Sequence, residues 1–340
     1  VMISAGSCTR YVGDAIALVA AETPDILEEA KKLIRVEYEV LTPITSPDKA
    51  LADGAQMLHE GGNVMSRVEL KRGNADEVIK NSKHVVTNRY SLPFTEHAFL
   101  EPETAVALVE KNGVVRIYSA DQGVYQTMKE CAEALGLPHE KVRVTAAMIG
   151  GGFGGKEDMS VQHHAALIAH LTGRPVKVSL SRAESIKVHP KRHAMEIEMT
   201  TACDGEGRLT AMKAVIVSDT GAYASLGGPV LQRACTHAAG PYNYQNIDIK
   251  GTAVYTNNPP AGAFRGFGVT QSCFATECNI NLLAERVGLS PWEFRFKNAV
   301  RPGDELPNGQ IADDTTALEE ALLAVKDEYD NNPKAGISCA

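Results

Sequence analysis

The nine residues Gly150–Asp158, GGGFGGKED, constrain this chain more than any other stretch. They follow the short apolar run Val142–Thr145 and precede MSVQHHAALIAHLTG, an amphipathic helix pattern closed by Gly173. Strand, glycine loop and helix in that order is a setting where backbone N–H groups converge on an anion. Gly150, Gly155 and Lys156 fit the phosphate-loop spacing G-x-x-x-x-G-K, while Gly150, Gly152 and Gly155 fit G-x-G-x-x-G. An acidic ligand group near residues 150–155 is therefore one expectation.

The nucleotide forms of this motif fail on chemistry. A phosphate loop carries Ser or Thr after its Lys to ligate magnesium. Here Glu157 and Asp158 follow Lys156, and two carboxylates repel a triphosphate. A dinucleotide fold needs an acidic ribose partner about 20 residues on, where this chain offers VKVSLSR. A phosphate-loop protein stays as an alternative to be tested.

The rest of the pattern indicates an α+β protein. Alternating or apolar runs predict strands at His84–Ser91, Ala105–Val109 and Val114–Ser119, and again in VKVSLS, HAMEIEMTT, LTAMKAVIVSDTG and IDIKGTAVYT. Helices are expected over Gln126–Leu135, ending at Gly136, and over Phe274–Val287. Near the start, strands at Val12–Ala20 and Arg35–Val40 flank a helix begun by Thr23-Pro24, giving a compact α/β unit. Long runs flanked by helices suggest antiparallel sheets rather than a doubly wound one.

Composition excludes several classes. A net charge of −8 argues against a nucleic-acid surface, and no apolar run approaches the ~20 residues of a membrane span. The seven cysteines form no C-x-x-C pair, so neither a disulfide framework nor a cysteine-built zinc or iron–sulfur cage is expected, and a cytoplasmic location follows. The first residue is Val1 and the last is Ala340, and both ends read as cut from a longer polypeptide. Adjacent His163 and His164 are expected to point apart on a helix and not to chelate. Glu28, Glu29, Lys31 and Lys32 read as a solvated helix face.

A second unusual string, NNPPAGAFRGFGVTQ at 257–271, decides among the alternatives. Together with GGGFGGKED, Gln122 in SADQGVYQT and Arg233 in VLQRACTH, it resembles the xanthine oxidase family of molybdenum hydroxylases over essentially the whole chain. The wording is most like bacterial xanthine dehydrogenases, the selenium-dependent type among them, and it is also similar to nicotinate dehydrogenase subunits.

The resemblance implies the end of an α/β-hammerhead domain at 1–50, a linker at 51–68, and the first half of a molybdopterin-binding domain at 69–340. Cofactor-facing roles fall on Gln122, Gly152, Phe153, Gly154 and Arg265; of these, Gln122, Phe153 and Arg265 would surround molybdenum without ligating it. Substrate-facing roles fall on Glu157, Arg233 and Phe267, with Glu157 and Arg233 orienting substrate and stabilising charge. Read from residues alone, Gln122 serves equally as a helix cap, Phe153 and Phe267 as core aromatics, and Arg233 as an ion-pair partner.

The implied reaction is hydroxylation of a purine-like N-heterocycle with water as oxygen source. Nicotinate- or aldehyde-type hydroxylation, and a non-catalytic assembly module, are the alternatives. The implied cofactor is molybdenum–molybdopterin, its cytosine dinucleotide form left open, with 2Fe-2S and FAD in other domains or subunits. The family's general base and the C-terminal molybdopterin-binding half are not in this chain, so the isolated polypeptide is expected to be inactive. Partners would be that half, the iron–sulfur and FAD subunits, and a small heterocycle. SDTGAYAS and YTNN are assigned structural roles nearby.

Overall fold

A computed structural model describes residues 2–332 and 334–339. Nine strands form two sheets: β1 (Val64–Arg72), β2 (His84–Leu92), β3 (Thr104–Val109), β4 (Val115–Ser119), β5 (Val142–Ala146), β6 (Val176–Ser179), β7 (Ala194–Cys203), β8 (Leu209–Gly221) and β9 (Asn246–Tyr255). The larger sheet has the order β1-β9-β8-β7-β2 and the smaller β5-β4-β3-β6. The architecture is α+β, as expected, and all seven strand predictions beyond residue 80 outside the glycine-loop approach coincide with strands. The short run before the glycine loop is β5.

The sheets are mixed rather than antiparallel. β8 runs parallel to β9, and β4 parallel to β5. Parallel neighbours need a crossover, usually a helix. Helix Gly227–Thr236 makes the first crossover and helix Val124–Leu135 the second. The first was not legible because its leading Gly-Gly-Pro argues against a helix.

Burial explains why the strands hold. On the larger sheet Ile197, Met199, Met212, Ile216 and Ile249 are buried in one cluster with Leu231 of helix Gly227–Thr236 and Leu283 of helix Val269–Val287. Each such side chain contributes about 1.5–3 kcal/mol. The smaller sheet buries Ala105, Ala107, Val115 and Ile117 against Ala165, Ala166 and Ala169 of helix Gln162–Thr172. Its C-terminal Gly173 adopts a left-handed conformation at φ +66°, as does Gly136 after helix Val124–Leu135 at φ +64°.

The α/β unit expected near the start does not form. Helix Pro24–Leu33 is present, capped by Thr23 Oγ1 accepting from the Ile26 N–H. The flanking runs 12–20 and 35–40 carry no strand assignment. Val12 is 79% exposed and Val40 88% exposed, so their alternation finds no partner strand among the described residues. Within the segment read as a linker, β1 already begins at Val64, paired with β9. The helix face bearing Glu28 and Lys31 is solvated, with an ion pair at 2.8 Å. His163 and His164 do not diverge as expected: their rings lie 3.8 Å apart. Burial first, and His164 second, push His163 down to about 3, so it is neutral at neutral pH. No described helix is long and apolar enough to cross a membrane.

Candidate functional site

The glycine loop leaves β5, an edge strand of the smaller sheet. The second loop, 256–268, joins β9 of the larger sheet to helix Val269–Val287. They meet at the seam between the sheets, where the Arg265 N–H donates to the Phe153 carbonyl at 2.9 Å. A Cβ on Gly154, at φ +97°, would lie 3.0 Å from the Ala263 carbonyl carbon and oxygen. Only glycine allows that approach.

Gln122 is the pin of the first loop. Its Oε1 accepts from the Gly154 N–H at 3.0 Å and the Lys156 N–H at 3.2 Å. Because both partners are donors, the amide orientation is fixed and Nε2 points away from them. Nε2 has no protein partner among the described residues. A Cβ on Gly152 would sit 2.4 Å from Gln122 Oε1, so that position cannot carry a side chain without moving the amide.

The loop departs from a phosphate loop at its lysine and at several of its donors. The Gly150 N–H donates to Glu101 Oε2 at 2.8 Å, and those of Gly154 and Lys156 are held by Gln122. The N–H groups of Gly155 and Glu157 bond to Gly152 and Gly154 carbonyls. Lys156, which would reach a phosphate, is buried, with Nζ 3.0 Å from Glu101 Oε2 and 4.6 Å from the centre of the Phe99 ring. The Gly150 N–H and then Lys156 hold the Glu101 carboxyl below its ordinary value. Helix Gln162–Thr172 begins too far along to present its N-terminus at Lys156. Within 150–155 the N–H groups of Gly150, Gly154 and Gly155 are engaged, while those of Gly151, Gly152 and Phe153 have no partner among the described residues.

Phe153 and Phe267 both occupy the left-handed region, at φ +53° and +48°. Bulky residues rarely do so, and such strain concentrates at functional sites. Phe153 is 47% exposed. Phe267 is half-buried and packs against the core of the larger sheet, the bland role considered from sequence. Its neighbour Gly268 lies against helix Gly227–Thr236, where a Cβ would meet the Val230 carbonyl at 2.2 Å. That contact brings the helix bearing Arg233 to the second loop. Arg233, Arg265 and Glu157 are all exposed, and among the described residues their charged groups make no ion pair or hydrogen bond. Partial burial raises the Glu157 carboxyl above its ordinary value.

Several supporting residues carried no readable signal. Asp158 is largely buried, both oxygens 2.8 Å from Ser225 Oγ, and burial pushes its carboxyl up to about 6. His97 lies under Gly155, bonds the Ala263 carbonyl at 2.8 Å, and stacks on Phe264 at 3.9 Å between centroids. Arg192 lays its guanidinium over the same aromatic, 4.0 Å from the Phe264 centroid, and donates to the Arg265 carbonyl at 2.8 Å. SDTGAYAS and YTNN tie to each other: buried Asp219 accepts from Thr256 Oγ1 at 2.7 Å and Asn258 Nδ2 at 2.8 Å.

Two glycine-rich loops thus meet, with an oriented amide, an exposed aromatic in left-handed backbone and arginines that have no partner among the described residues. The chain belongs to the molybdopterin cofactor-binding domain family, whose model matches residues 58–299. It is 44% identical over 316 residues to a probable xanthine dehydrogenase subunit of Bacillus subtilis (strain 168), covering 93% of this chain and 42% of that protein. It is 40% identical over 319 residues to the nicotinate dehydrogenase large molybdopterin subunit of Eubacterium barkeri, covering 94% of this chain and 75% of that one. The aldehyde oxidoreductase structure from Desulfovibrio gigas superposes with a TM-score of 0.91 at 30% identity, over 94% of this chain and 35% of that one. The chain thus spans less than half of two of these relatives. The relatives are molybdopterin oxidoreductases, and the resemblance read from the two loop strings is to their family.

The residues fit the cofactor this family is named for. The Gln122 amide presents a donor with no acceptor among the described residues, beside a loop whose Gly152 and Gly154 pack too closely on Gln122 and Ala263 to carry a Cβ.

Proposed function

We propose that this chain supplies the first half of the molybdopterin-binding portion of a molybdenum hydroxylase acting on a purine-like N-heterocycle. The observation that carries the reading is the Gln122 amide, held by the Gly154 and Lys156 N–H groups with Nε2 free to donate outward. When bound, the molybdenum–molybdopterin group would supply an activated oxygen derived from water and an acceptor for two electrons.

The chain's own residues would do the rest. Gln122 Nε2 donates to the cofactor's polar atoms. Gly152, Phe153 and Gly154 offer backbone to its flat face, and Arg265 adds positive charge beside it. Glu157, with its carboxyl raised by partial burial, accepts or shares a proton with a ring N–H. Arg233 stabilises negative charge that grows on the ring during attack. Phe267 contributes its edge to the ring from a half-buried position.

In the same reading, 1–50 is the end of a hammerhead domain, 51–68 a connection and 69–340 the binding domain's first half. The general base and second half come from outside this chain. 2Fe-2S and FAD centres in partner domains or subunits carry electrons away, in the cytoplasm. The cytosine form of the pterin belongs to the same proposal.

A nicotinate-type substrate is the second reading. It is favoured by the 75% coverage of the E. barkeri protein and by the unpaired Arg233 and Arg265, which suit a carboxylate. Steady-state turnover of xanthine, hypoxanthine, nicotinate and an aldehyde by the complete assembled enzyme decides. Purine turnover dominating supports the first reading, and nicotinate turnover dominating replaces it with the second. No turnover of any of the four overturns both.

A further inference from the structure

Behind the glycine loop, three acceptor atoms converge. His97 Nε2 lies 2.8 Å from the Ala263 carbonyl, and His189 Nδ1 lies 2.7 Å from the Ser185 carbonyl. A carbonyl can only accept, so each of these nitrogens carries the ring hydrogen. The lone pairs then sit on His97 Nδ1 and His189 Nε2, which face each other at 3.3 Å. Glu96 Oε1 lies 2.8 Å from the same His189 Nε2. All three ligand atoms lie within 4.8 Å of one another.

Lone pairs facing lone pairs in a buried place repel unless a metal cation or a proton stands between them. Tetrahedral zinc with bonds of about 2.0–2.1 Å separates its ligands by about 3.3 Å, which matches the spacing of the two imidazoles. Each ligand also has an outer partner that fixes it, as metal ligands do. The two carbonyls orient the rings, and Lys191 Nζ holds the other Glu96 oxygen at 2.7 Å.

A second, independent feature is an unpartnered buried carboxyl group beside these atoms. Glu103 is buried, and neither of its oxygens has a hydrogen-bond partner among the described residues. Its Oε1 lies 3.5 Å from His189 Nδ1. Among the described residues Glu96 pairs with Lys191 and its Oε1 also accepts from the Ala98 N–H at 3.1 Å, while Glu103 has no Lys or Arg partner.

We propose that Glu96, His97 and His189 form a transition-metal site of the zinc class. It would lock the spacing of the two loops, because His97 is wedged between Gly155 and Phe264. The proposal stands independently of the substrate reading.

The test uses the complete subunit in a Cys8→Ser background, which removes the one exposed thiol among the described cysteines. After chelator treatment it is titrated with Co2+ alone and followed by visible absorption, then back-titrated with Zn2+. The expected result is a ligand-field band saturating at one cobalt per chain, displaced by zinc, with affinity reduced at least about tenfold in His189→Gln and Glu96→Gln. The wild-type titration stands even if a variant does not fold. Absence of the band in the wild type would mean that a proton on His189 supplies the charge, and would overturn the proposal. So would an unchanged affinity in both variants.

Discussion

The Arg265 N–H bonds the Phe153 carbonyl at 2.9 Å, and this contact ties together loops that emerge from different sheets. Each loop uses a bulky residue in left-handed backbone close to that junction, Phe153 on one side and Phe267 on the other. The strain is held by packing: His97 beneath, Arg192 beside, and the Gln122 amide at the first loop's turn.

The Gly152 position tests that packing. Gly152→Ala puts a methyl 2.4 Å from Gln122 Oε1 and is expected to destabilise the chain by about 1–3 kcal/mol. Gly61→Ala meets nothing within 4 Å and should change the melting temperature by far less. Thermal unfolding of both variants checks the difference.

Lys156 is the residue that separates a nucleotide loop from this one. Isothermal titration with ATP and magnesium should give no saturable heat, in the wild type or in Lys156→Ala. The variant should still unfold earlier, because Lys156 Nζ is buried against Glu101. Glu101 is 40% exposed, so the cost is about 1–2 kcal/mol rather than the larger penalty of a fully buried pair. Magnesium-dependent ATP binding lost in the variant would restore the phosphate-loop reading.

Asp158 sets a pH dependence. Its carboxyl is pushed up to about 6 by burial, above the ordinary value of 3.8. The folded chain therefore holds this proton more tightly than the unfolded chain does. Stability from the group is fully present below about pH 4 and is lost as pH rises through about 6, a loss on the order of 2 kcal/mol. Asp158→Asn, which keeps an acceptor for Ser225 Oγ, should flatten that window in denaturant unfolding at pH 4 and pH 7. An equal slope in both proteins would remove Asp158 from the account.

Arg233 and Glu157 are predicted to act on charge rather than on folding, since both are exposed and unpaired. Arg233→Leu in the complete enzyme should lower kcat/KM for a purine by about 100-fold or more while leaving the melting temperature unchanged. Glu157→Gln should shift the acid limb of the pH–rate profile and lower kcat/KM as well. Unchanged purine kinetics in both variants would refute their assignment.

Much of the scaffold was legible because burial is one-sided. The β7 run AMEIEMTTAC alternates between core and surface along its first half, and the helix before Gly173 ends where only glycine turns easily. What misled was alternation without a partner: 35–40 reads as a strand, yet its side chains face solvent. Strand direction was not legible, because helix Gly227–Thr236, which makes β8 and β9 parallel, opens with residues that disfavour helix.

At the site, the two loop strings were legible as strings, and the structure brings them into contact. The wedge that supports them was not. His97, His189 and Arg192 are distant in sequence from one or both loops and fall into place only when the two sheets pack together. Nothing in their local composition distinguishes them from ordinary polar residues.

In the proposed function, the loop at Gly152 and Gly154, with Gln122 pinned beside it, faces molybdopterin. The most direct measurement is molybdenum and pterin content per complete subunit, coexpressed with its remaining half, for wild type, Gly61→Ala and Gly152→Ala. Near-stoichiometric content is expected in the first two and a severe loss in Gly152→Ala. Full content in Gly152→Ala, or no pterin in the wild type, would contradict it.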